Sequence, residues 1–238
     1  MKTFIEKYDN ALSHDVCDKI INATSHENVK SWKGVVGSKE YKPEVKSTTD
    51  FNVYDVIDDD TIRAVRDSLF KHLLIYVKNN FIQHVPEALK STDEFLLMKF
   101  FFPTFIVDQR SMFVKKYSDE NDHFHWHVDN QINSPNWKHA ARLLVMMFYL
   151  NNVDEGGTTD FMHHDVSLKP TKGSLVIFPA SWMYVHRGCP PISGEKYILN
   201  MWLLHNNPFI RKEFKNIKDQ LKTREIAKNP KEWIAKNM

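Results

Sequence analysis

The chain has 238 residues, a formal net charge of +2 and a hydrophobic content of 42%. Its length suits one large domain or two small ones, with enough apolar and aromatic residues for a sizeable core. The near-neutral charge and the excess of Lys over Arg argue against a dedicated nucleic-acid or phosphate reader. The N-terminus has no apolar signal segment and no apolar run reaches the length of a membrane span, so we expect a cytoplasmic protein without membrane contact.

Two amphipathic helices are predicted in residues 1–92. The first begins after Ser13, a favourable N-cap residue, and the second follows three consecutive aspartates, which suit the helix dipole. The second carries an apolar stripe of at least four turns. Its apolar positions are Ile62, Val65, Leu69, Leu73, Tyr76 and Val77. We expect both helices to pack on the outer face of a sheet, and the intervening segment Trp32–Asp50 to form a loop or hairpin.

From about residue 94 to residue 206 the apolar period changes to that of β-strands. The candidate strands are Phe95–Phe102, Met112–Tyr117, Phe124–Val128, Arg142–Leu150, Thr158–Met162, Ser174–Phe178, Met183–His186 and Tyr197–Leu204. Short strands separated by turn residues favour a two-sheet jelly roll. A lysine-rich helix is predicted beyond residue 207. We therefore expect one domain over residues 1–238, mainly β with flanking helices: N-terminal support at 1–92, a core at 94–206 and a C-terminal extension at 207–238.

His127, Asp129 and His186 are candidate metal ligands. Residues i and i+2 of an extended segment point to the same face, so His127 and Asp129 can hold one ion together. His186 follows 59 residues after His127 and would complete the set from a neighbouring strand. Two imidazoles and one carboxylate leave the opposite coordination positions open, which is typical of non-haem Fe(II) oxygenases. Lys196, ten residues after His186, adds a cation.

The segment from Tyr117 to Trp202 resembles the catalytic core of the 2-oxoglutarate and Fe(II)-dependent dioxygenases, specifically the prolyl 4-hydroxylase-like branch. The resemblance rests on short strings whose joint order is specific although each string is weak. In chain order they are Tyr117 ahead of His127-Val128-Asp129; Arg142 ahead of Tyr149-Leu150-Asn151; Glu155–Phe161; Lys169-Pro170 with Gly173; Leu175–Pro179; His186–Pro191; Gly194–Tyr197; and Trp202.

This resemblance implies a double-stranded β-helix core of the jelly-roll, cupin-like type, and an Fe(II) ion held by His127, Asp129 and His186. It implies 2-oxoglutarate as co-substrate, O2 as oxidant and ascorbate as reductant. The expected activity is that of a dioxygenase that hydroxylates a substrate C–H bond and releases succinate and CO2.

The resemblance also assigns the co-substrate contacts. Lys196 would pair with the far carboxylate of 2-oxoglutarate, Tyr149 would donate a hydrogen bond beside it, and Tyr117 would bind near the iron end. A buried carboxylate requires such a cation and satisfied lone pairs. Many relatives use Arg in place of Lys196, so a lysine at this spacing favours the prolyl-hydroxylase-like branch. Tyr149 could instead be an ordinary core residue.

Several neighbouring residues admit a second interpretation. His123 and His125 share a face with His127 if the strand is regular, so a His-rich zinc site is an alternative. Arg142 opens an apolar strand and could simply extend to its edge. Trp202 is predicted to be a packing residue.

The branch implies a peptide or protein substrate with proline in the groove. A free amino acid or another small molecule remains open, as does a non-catalytic jelly-roll binding module that kept the pocket. Two loops near the expected mouth, Trp32–Asp50 and Asn130–Ala140, are candidates for substrate contact. Tyr41 and Trp137 would offer stacking surfaces there. The retained ligand set favours an enzyme.

Overall fold

The computed structural model describes residues 2–26, 28–36, 40–80, 105–107, 112–131 and 137–205. The predicted strand Phe95–Phe102 and the predicted helix beyond residue 207 lie outside these ranges. The described residues include both predicted N-terminal helices and all six residues assigned to the metal and the co-substrate.

The N-terminal helices form where their caps predict them. Helix α1 spans His14–Thr24, and the Ser13 side chain accepts a hydrogen bond from the Val16 N–H. After the short α2 (Val53–Val56), α3 spans Asp59–Asn80. The Asp58 carboxylate accepts a bond from the Thr61 N–H at 2.7 Å, which satisfies a free donor of the first turn. No helix in the described ranges has the length and apolar character needed to cross a membrane.

The strands form two antiparallel sheets. Their bounds are β1 (Glu6–Tyr8), β2 (Ser31–Lys33), β3 (Lys46–Ser47), β4 (Thr49–Asn52), β5 (Phe105–Val107), β6 (Phe113–Tyr117), β7 (His123–His127), β8 (Arg142–Tyr149), β9 (Thr159–Phe161), β10 (Val166–Leu168), β11 (Leu175–Pro179), β12 (His186–Gly188) and β13 (Lys196–His205). The larger sheet has the order β1-β11-β8-β13-β6-β4-β2, and β5 also pairs with β13. The smaller sheet has the order β10-β9-β12-β7-β3. The predicted mainly β, two-sheet architecture is confirmed.

Strand boundaries agree with the sequence pattern where strands are long and apolar, and differ where they are short. The predicted strand Met183–His186 is instead a 3-10 turn at Trp182–Tyr184, and β12 begins only at His186, where pairing with β7 begins. Strand β10 escaped prediction because three residues carry almost no periodicity. A short helix, α4 (Trp137–Ala140), precedes β8.

Alternation along β8 separates two apolar layers. Leu144, Met146 and Phe148 face α1 and α3, which cover the outside of the larger sheet as predicted. Met147 and Tyr149 point the other way, into the space between the sheets. The period of two therefore sends one set of side chains to the helices and the other set towards the site.

Gly173 ties the N-terminal segment to the larger sheet. The Leu12 N–H donates to the Gly173 carbonyl at 2.9 Å, and Gly173 has a φ of +79°. A Cβ at this position would lie 2.3 Å from the Leu12 carbonyl oxygen. Both the backbone conformation and the close approach therefore require glycine.

A substitution of Leu69 tests how much the packing of α3 on the larger sheet contributes to stability. Its side chain is fully buried in the core between α3 and the larger sheet. We expect Leu69→Ala to lower the free energy of unfolding by about 2–5 kcal/mol, because it removes buried surface and leaves a cavity. Urea denaturation measures this change. Lys71→Ala, on the exposed side of the same helix, is the control and should change stability by less than about 0.5 kcal/mol; equal losses in the two variants would contradict this packing.

Candidate active site

The pairing of β12 with β7 brings together two residues that are distant in sequence. His186 lies directly opposite His127, and Gly188 lies opposite Phe124. Between these two pairs, His125 and Trp126 of β7 face Arg187 alone, which is a β-bulge. The bulge allows His127 and Phe124 to lie side by side, and their rings stack with centroids 3.5 Å apart.

The three predicted metal ligands converge. One ligand atom each from His127, Asp129 and His186 lies within 4.8 Å of the others, and the His186 Nε2 is 3.4 Å from the Asp129 Oδ2. The His127 Nδ1 donates to the His125 carbonyl at 2.7 Å, and the His186 Nδ1 donates to the Tyr184 carbonyl at 3.0 Å. These bonds fix both rings and leave each Nε2 available to a metal.

The donor set fits a divalent ion. The Asp129 Oδ2 is buried and has no hydrogen-bond partner, so it offers a lone pair that would otherwise be left unsatisfied. Two imidazoles and one carboxylate suit Fe(II), with the far side of the ion left for other ligands. Within the described residues, this is the one group of three or more such side chains close enough to hold an ion.

Electrostatics keep this group in its metal-binding protonation state. Burial lowers the pKa of His127 well below its ordinary value, and the nearby His186 lowers it further. Burial also lowers the pKa of His186. Burial alone would raise the pKa of Asp129, but His186, His127 and Arg142 lower it to about 2. At neutral pH the site therefore offers two neutral imidazoles and an ionised carboxylate.

Arg142 does more than extend to a strand edge. Its Nη1 lies 3.3 Å from the Asp129 carbonyl and 3.5 Å from the Asp129 Oδ1. Its guanidinium stacks on the Trp202 ring, with the Cζ 3.7 Å from the ring centroid. Arg142 thus orients the carboxylate of the triad, and Trp202, predicted as packing, supports the arginine.

Lys196 lies buried at a second place between the sheets, beside Tyr117. Its Nζ is 4.6 Å from the centroid of the Tyr117 ring and 3.5 Å from the Thr158 carbonyl. The Tyr149 hydroxyl donates to the Thr159 Oγ1 at 2.7 Å. Burial lowers the pKa of Lys196 to about 7 and raises the pKa of Tyr149. A cation and two phenols therefore occupy the region that the resemblance assigns to 2-oxoglutarate.

Gly188 makes room for Tyr117, a requirement that sequence reasoning did not detect. A Cβ on Gly188 would lie 2.6 Å from the Tyr117 hydroxyl oxygen. A position without a side chain on β12 is therefore needed for the Tyr117 hydroxyl to approach this strand. The sequence His186-Arg187-Gly188 could have indicated this close approach. Gly188 is two residues from His186 and points to the same face, and a glycine inside a strand often marks a place where another group comes close.

The His-rich zinc alternative is not formed. The bulge in β7 breaks the regular alternation, so His125 is exposed and its Nδ1 accepts from the Trp126 N–H at 2.8 Å. The His123 ring nitrogens lie near the carbonyls of Asn121 and Glu44. Neither histidine belongs to the group of ligands around Asp129.

Two buried lysines near the triad were missed by sequence reasoning. Lys46, on β3, is 3% exposed and pairs with Asp50 at 2.6 Å; Lys115, on β6, is 6% exposed. Both ammonium groups lie near the Phe124 ring, at 5.3 Å and 5.5 Å from its centroid. The alternation of side chains along β6 could have indicated that Lys115 is buried, because Lys115 and Tyr117 are two residues apart and point to the same face.

The comparisons with known proteins agree with this geometry. The family model of the 2OG-Fe(II) oxygenase superfamily matches residues 112–204. The prolyl 4-hydroxylase subunit alpha-1 of Gallus gallus is 33% identical over 69 residues, which cover 26% of this chain and 13% of that protein. The chain therefore spans only a small part of the length of this curated relative. Residues 112–204 are therefore similar to the 2OG-Fe(II) oxygenase superfamily, and the curated relative that they resemble is a prolyl 4-hydroxylase subunit.

Two solved structures share the fold. The viral collagen prolyl hydroxylase of Paramecium Bursaria Chlorella virus-1, in complex with 2OG, has a TM-score of 0.55 and 21% identity, covering 84% of this chain and 96% of that one. A prolyl hydroxylase from Trichoplax adhaerens, in complex with a hypoxia inducible factor peptide fragment, has a TM-score of 0.59 and 13% identity, covering 86% and 84%. At these identities the likeness establishes the double-stranded β-helix fold.

Asp129→Asn tests the metal centre. Replacing the carboxylate by a neutral amide removes the charged ligand, so we expect at least about 10-fold weaker Mn(II) binding. Titration calorimetry under nitrogen measures the affinity. Asp160→Asn is the matched control: Asp160 lies on the neighbouring β9 and is paired with Arg187 at 2.9 Å. If the control variant loses as much affinity as Asp129→Asn, the ion binds elsewhere.

Proposed function

We propose that this chain is an Fe(II)- and 2-oxoglutarate-dependent dioxygenase that hydroxylates a prolyl residue of a peptide or protein. The observation that carries the proposal is the pairing of a converged His127, Asp129 and His186 group with a buried Lys196 between the same two sheets. The group of two histidines and one aspartate suits a metal with open coordination positions. The buried lysine suits the binding of a carboxylate that is removed from water. A binding module without turnover would have no need of both.

In this proposal, His127, Asp129 and His186 hold Fe(II). When bound, Fe(II) supplies the activation of O2, and the overall reaction converts a C–H bond, 2-oxoglutarate and O2 into C–OH, succinate and CO2. The four electrons that reduce O2 come from the decarboxylated co-substrate and from the C–H bond, two from each. Arg142 holds the Asp129 carboxylate in place beside the ion.

Lys196 binds the far carboxylate of 2-oxoglutarate. Within the described residues, the one hydrogen bond of the ammonium is a long contact to the Thr158 carbonyl, 3.5 Å, so its remaining donors can serve an incoming anion. The Tyr149 hydroxyl turns from Thr159 to donate beside Lys196. Tyr117, packed under Lys196, donates nearer the iron. The pocket excludes water from this ion pair because all three residues are buried.

A prolyl residue is the substrate that the relatives support. The Gallus gallus relative and both solved neighbours carry the name of prolyl hydroxylases, and the Trichoplax adhaerens structure holds a peptide. A peptide in an extended conformation would fit beside the smaller sheet, whose edge strand β3 comes from the segment Trp32–Asp50.

Turnover tests the proposal directly. With Fe(II), 2-oxoglutarate, O2 and ascorbate, we expect succinate release, together with a gain of one oxygen mass on members of a proline-containing peptide library. His127→Ala should abolish both signals, because the metal loses a ligand. Lys71→Ala, on the exposed side of α3 and away from the ligand group, is the control and should retain them. If no peptide, amino acid or uncoupled reaction yields succinate, the chain is not a dioxygenase.

The low pKa of Lys196 predicts a pH-dependent affinity for 2-oxoglutarate. Since the pKa is about 7 in the free protein, raising the pH above 7 deprotonates the ammonium, and binding must then include uptake of a proton. We expect the Kd for 2-oxoglutarate to rise by up to about 10-fold per pH unit between pH 7.5 and 9. Anaerobic titration with Mn(II) in place of Fe(II) measures it.

Lys196→Arg is the control for this titration. A guanidinium stays protonated throughout this range, so the pH dependence should disappear even if the affinity itself changes. The His127 and His186 ligands are already neutral at pH 7 and contribute no slope. If the Kd for 2-oxoglutarate still rises with pH in Lys196→Arg, another group takes up the proton. That result would contradict the assignment of Lys196 to the far carboxylate of 2-oxoglutarate.

A further inference from the structure

Lys115 is a buried lysine for which the proposed reaction has no use. It lies on β6 opposite Asp50 of β4 and Ile198 of β13, and it points into the space between the sheets. Among the described residues it forms no ion pair and no hydrogen bond; its recorded contacts are with the rings of Phe124 and Trp202. A buried ammonium without an anion is costly, so such a group indicates a missing partner.

Lys46 has such a partner, and the contrast is informative. Its Nζ pairs with the Asp50 Oδ2 at 2.6 Å, while the Asp50 Oδ1 accepts from the Thr48 hydroxyl at 2.7 Å. Both oxygens of Asp50 are therefore engaged. The carboxylate opposite Lys115 in the sheet serves the neighbouring lysine, and Lys115 forms no direct ion pair within the described residues.

Two buried polar atoms on β13, the strand that pairs with β6, also lack partners. Within the described residues the Asn200 Oδ1 and the Trp202 Nε1 have no hydrogen bond. Asn200 lies opposite Phe113 of β6, Trp202 lies opposite Val145 of β8, and both are less than 8% exposed. The Lys115 Nζ is 5.8 Å from the centroid of the Trp202 ring. An ammonium and an indole N–H could donate to one carboxylate, and Asn200 could accept from an adjacent N–H.

The Trp202 end of this group lies away from the place assigned to 2-oxoglutarate. Lys115 is opposite Ile198, two residues from Lys196 on β13, whereas Trp202 is six residues beyond Lys196, which corresponds to about 20 Å along an extended strand. Lys46, Asp50, Asp129 and Arg142 all lie close enough to Lys115 to influence its pKa, so its ammonium lies on the side of the triad.

We propose that Lys115 binds a carboxylate of the substrate, with the Trp202 Nε1–H as a second donor, so that the enzyme selects substrates that carry an anion beside the hydroxylated carbon. The carboxylate could be the free α-carboxylate of an amino acid or an acidic side chain next to the target residue in a peptide. The inference rests on the proposed function and names its substrate class.

Binding without turnover tests this inference. The wild-type protein, loaded with Mn(II) and 2-oxoglutarate under nitrogen, is titrated with two matched pairs of probes: L-proline against L-prolinamide, and a Glu-Pro-containing peptide against its Gln-Pro counterpart. Calorimetry measures the four affinities. We expect the carboxylate member of at least one pair to bind at least about 10-fold tighter, because a charge-assisted hydrogen bond is lost in its partner. The pair that responds identifies the source of the carboxylate.

Lys115→Met should remove this preference and leave the affinity for 2-oxoglutarate unchanged. Its thermal unfolding should remain cooperative, because an apolar side chain replaces a buried charge that has no direct ion pair within the described residues. Lys115→Gln is the second variant, with the same expected loss of preference. Lys116→Met is the matched control on the same strand: Lys116 is paired with Glu195 and does not line the site, so the preference should persist.

Three results would overturn the inference: no carboxylate preference in the wild type, a preference retained in both Lys115 variants, or a loss of 2-oxoglutarate affinity in them. The last result would place Lys115 in the co-substrate site. Failure of the proposed function is distinguishable. A carboxylate preference that depends on Lys115, in a protein that never releases succinate, would support the anion site and reject the dioxygenase.

Discussion

Antiparallel pairing of β12 with β7 places His186 opposite His127, and the geometry of the site depends on this register. A shift by one residue would turn the imidazole of His186 to the other face of the sheet. The bulge in β7 is part of the same constraint, because it lets Phe124 and His127 stack side by side. The carbonyls that fix the two imidazole rings come from His125 in β7 and from Tyr184 in the turn directly before β12. The pairing therefore sets the position of the two histidines, and these neighbouring carbonyls set the orientation of their rings.

Polarity is divided sharply between the two faces of the larger sheet. The face towards the helices is apolar throughout the described core, as for Phe148 and Leu199. The face towards the smaller sheet buries Lys115, Lys196 and Asn200. Burial of such groups costs free energy that the apolar layer must offset, and it is accepted here because these groups can meet charged ligands. The helices α1 and α3 thus make the polar interior possible by completing the apolar layer on the other side.

Long periodic elements could be predicted from the sequence, and so could the convergence of His127, Asp129 and His186. The stripe on α3 and the alternation on β8 repeat often enough to identify their type. The order of the strings around His127 and His186 predicted the similarity to the 2OG-Fe(II) oxygenase superfamily that residues 112–204 show. Short elements could not be predicted, since the three residues of β10 or β12 carry little pattern. The alternative zinc site failed because it assumed regular alternation at His125, and the bulge in β7 is a tertiary feature.

Contacts between side chains that are distant in sequence could not be predicted either. Arg142 reaches Asp129 only because β8 runs beside the end of β7 in space, and no local pattern specifies that approach. Lys115 is a different case. Its place on the inner face followed from the alternation around Tyr117, but a lysine in an apolar strand is easily assigned to the exposed side by its residue type alone.

The distance in sequence between His127 and His186 has a consequence for folding. An ion that needs both imidazoles can bind only after β7 and β12 have paired, so it has little affinity for the unfolded chain. Metal binding and folding are then linked, and each tenfold increase in free metal above its Kd adds about 1.4 kcal/mol to the stability of the native state. The resistance of the protein to denaturation would in this way report how fully the site is loaded.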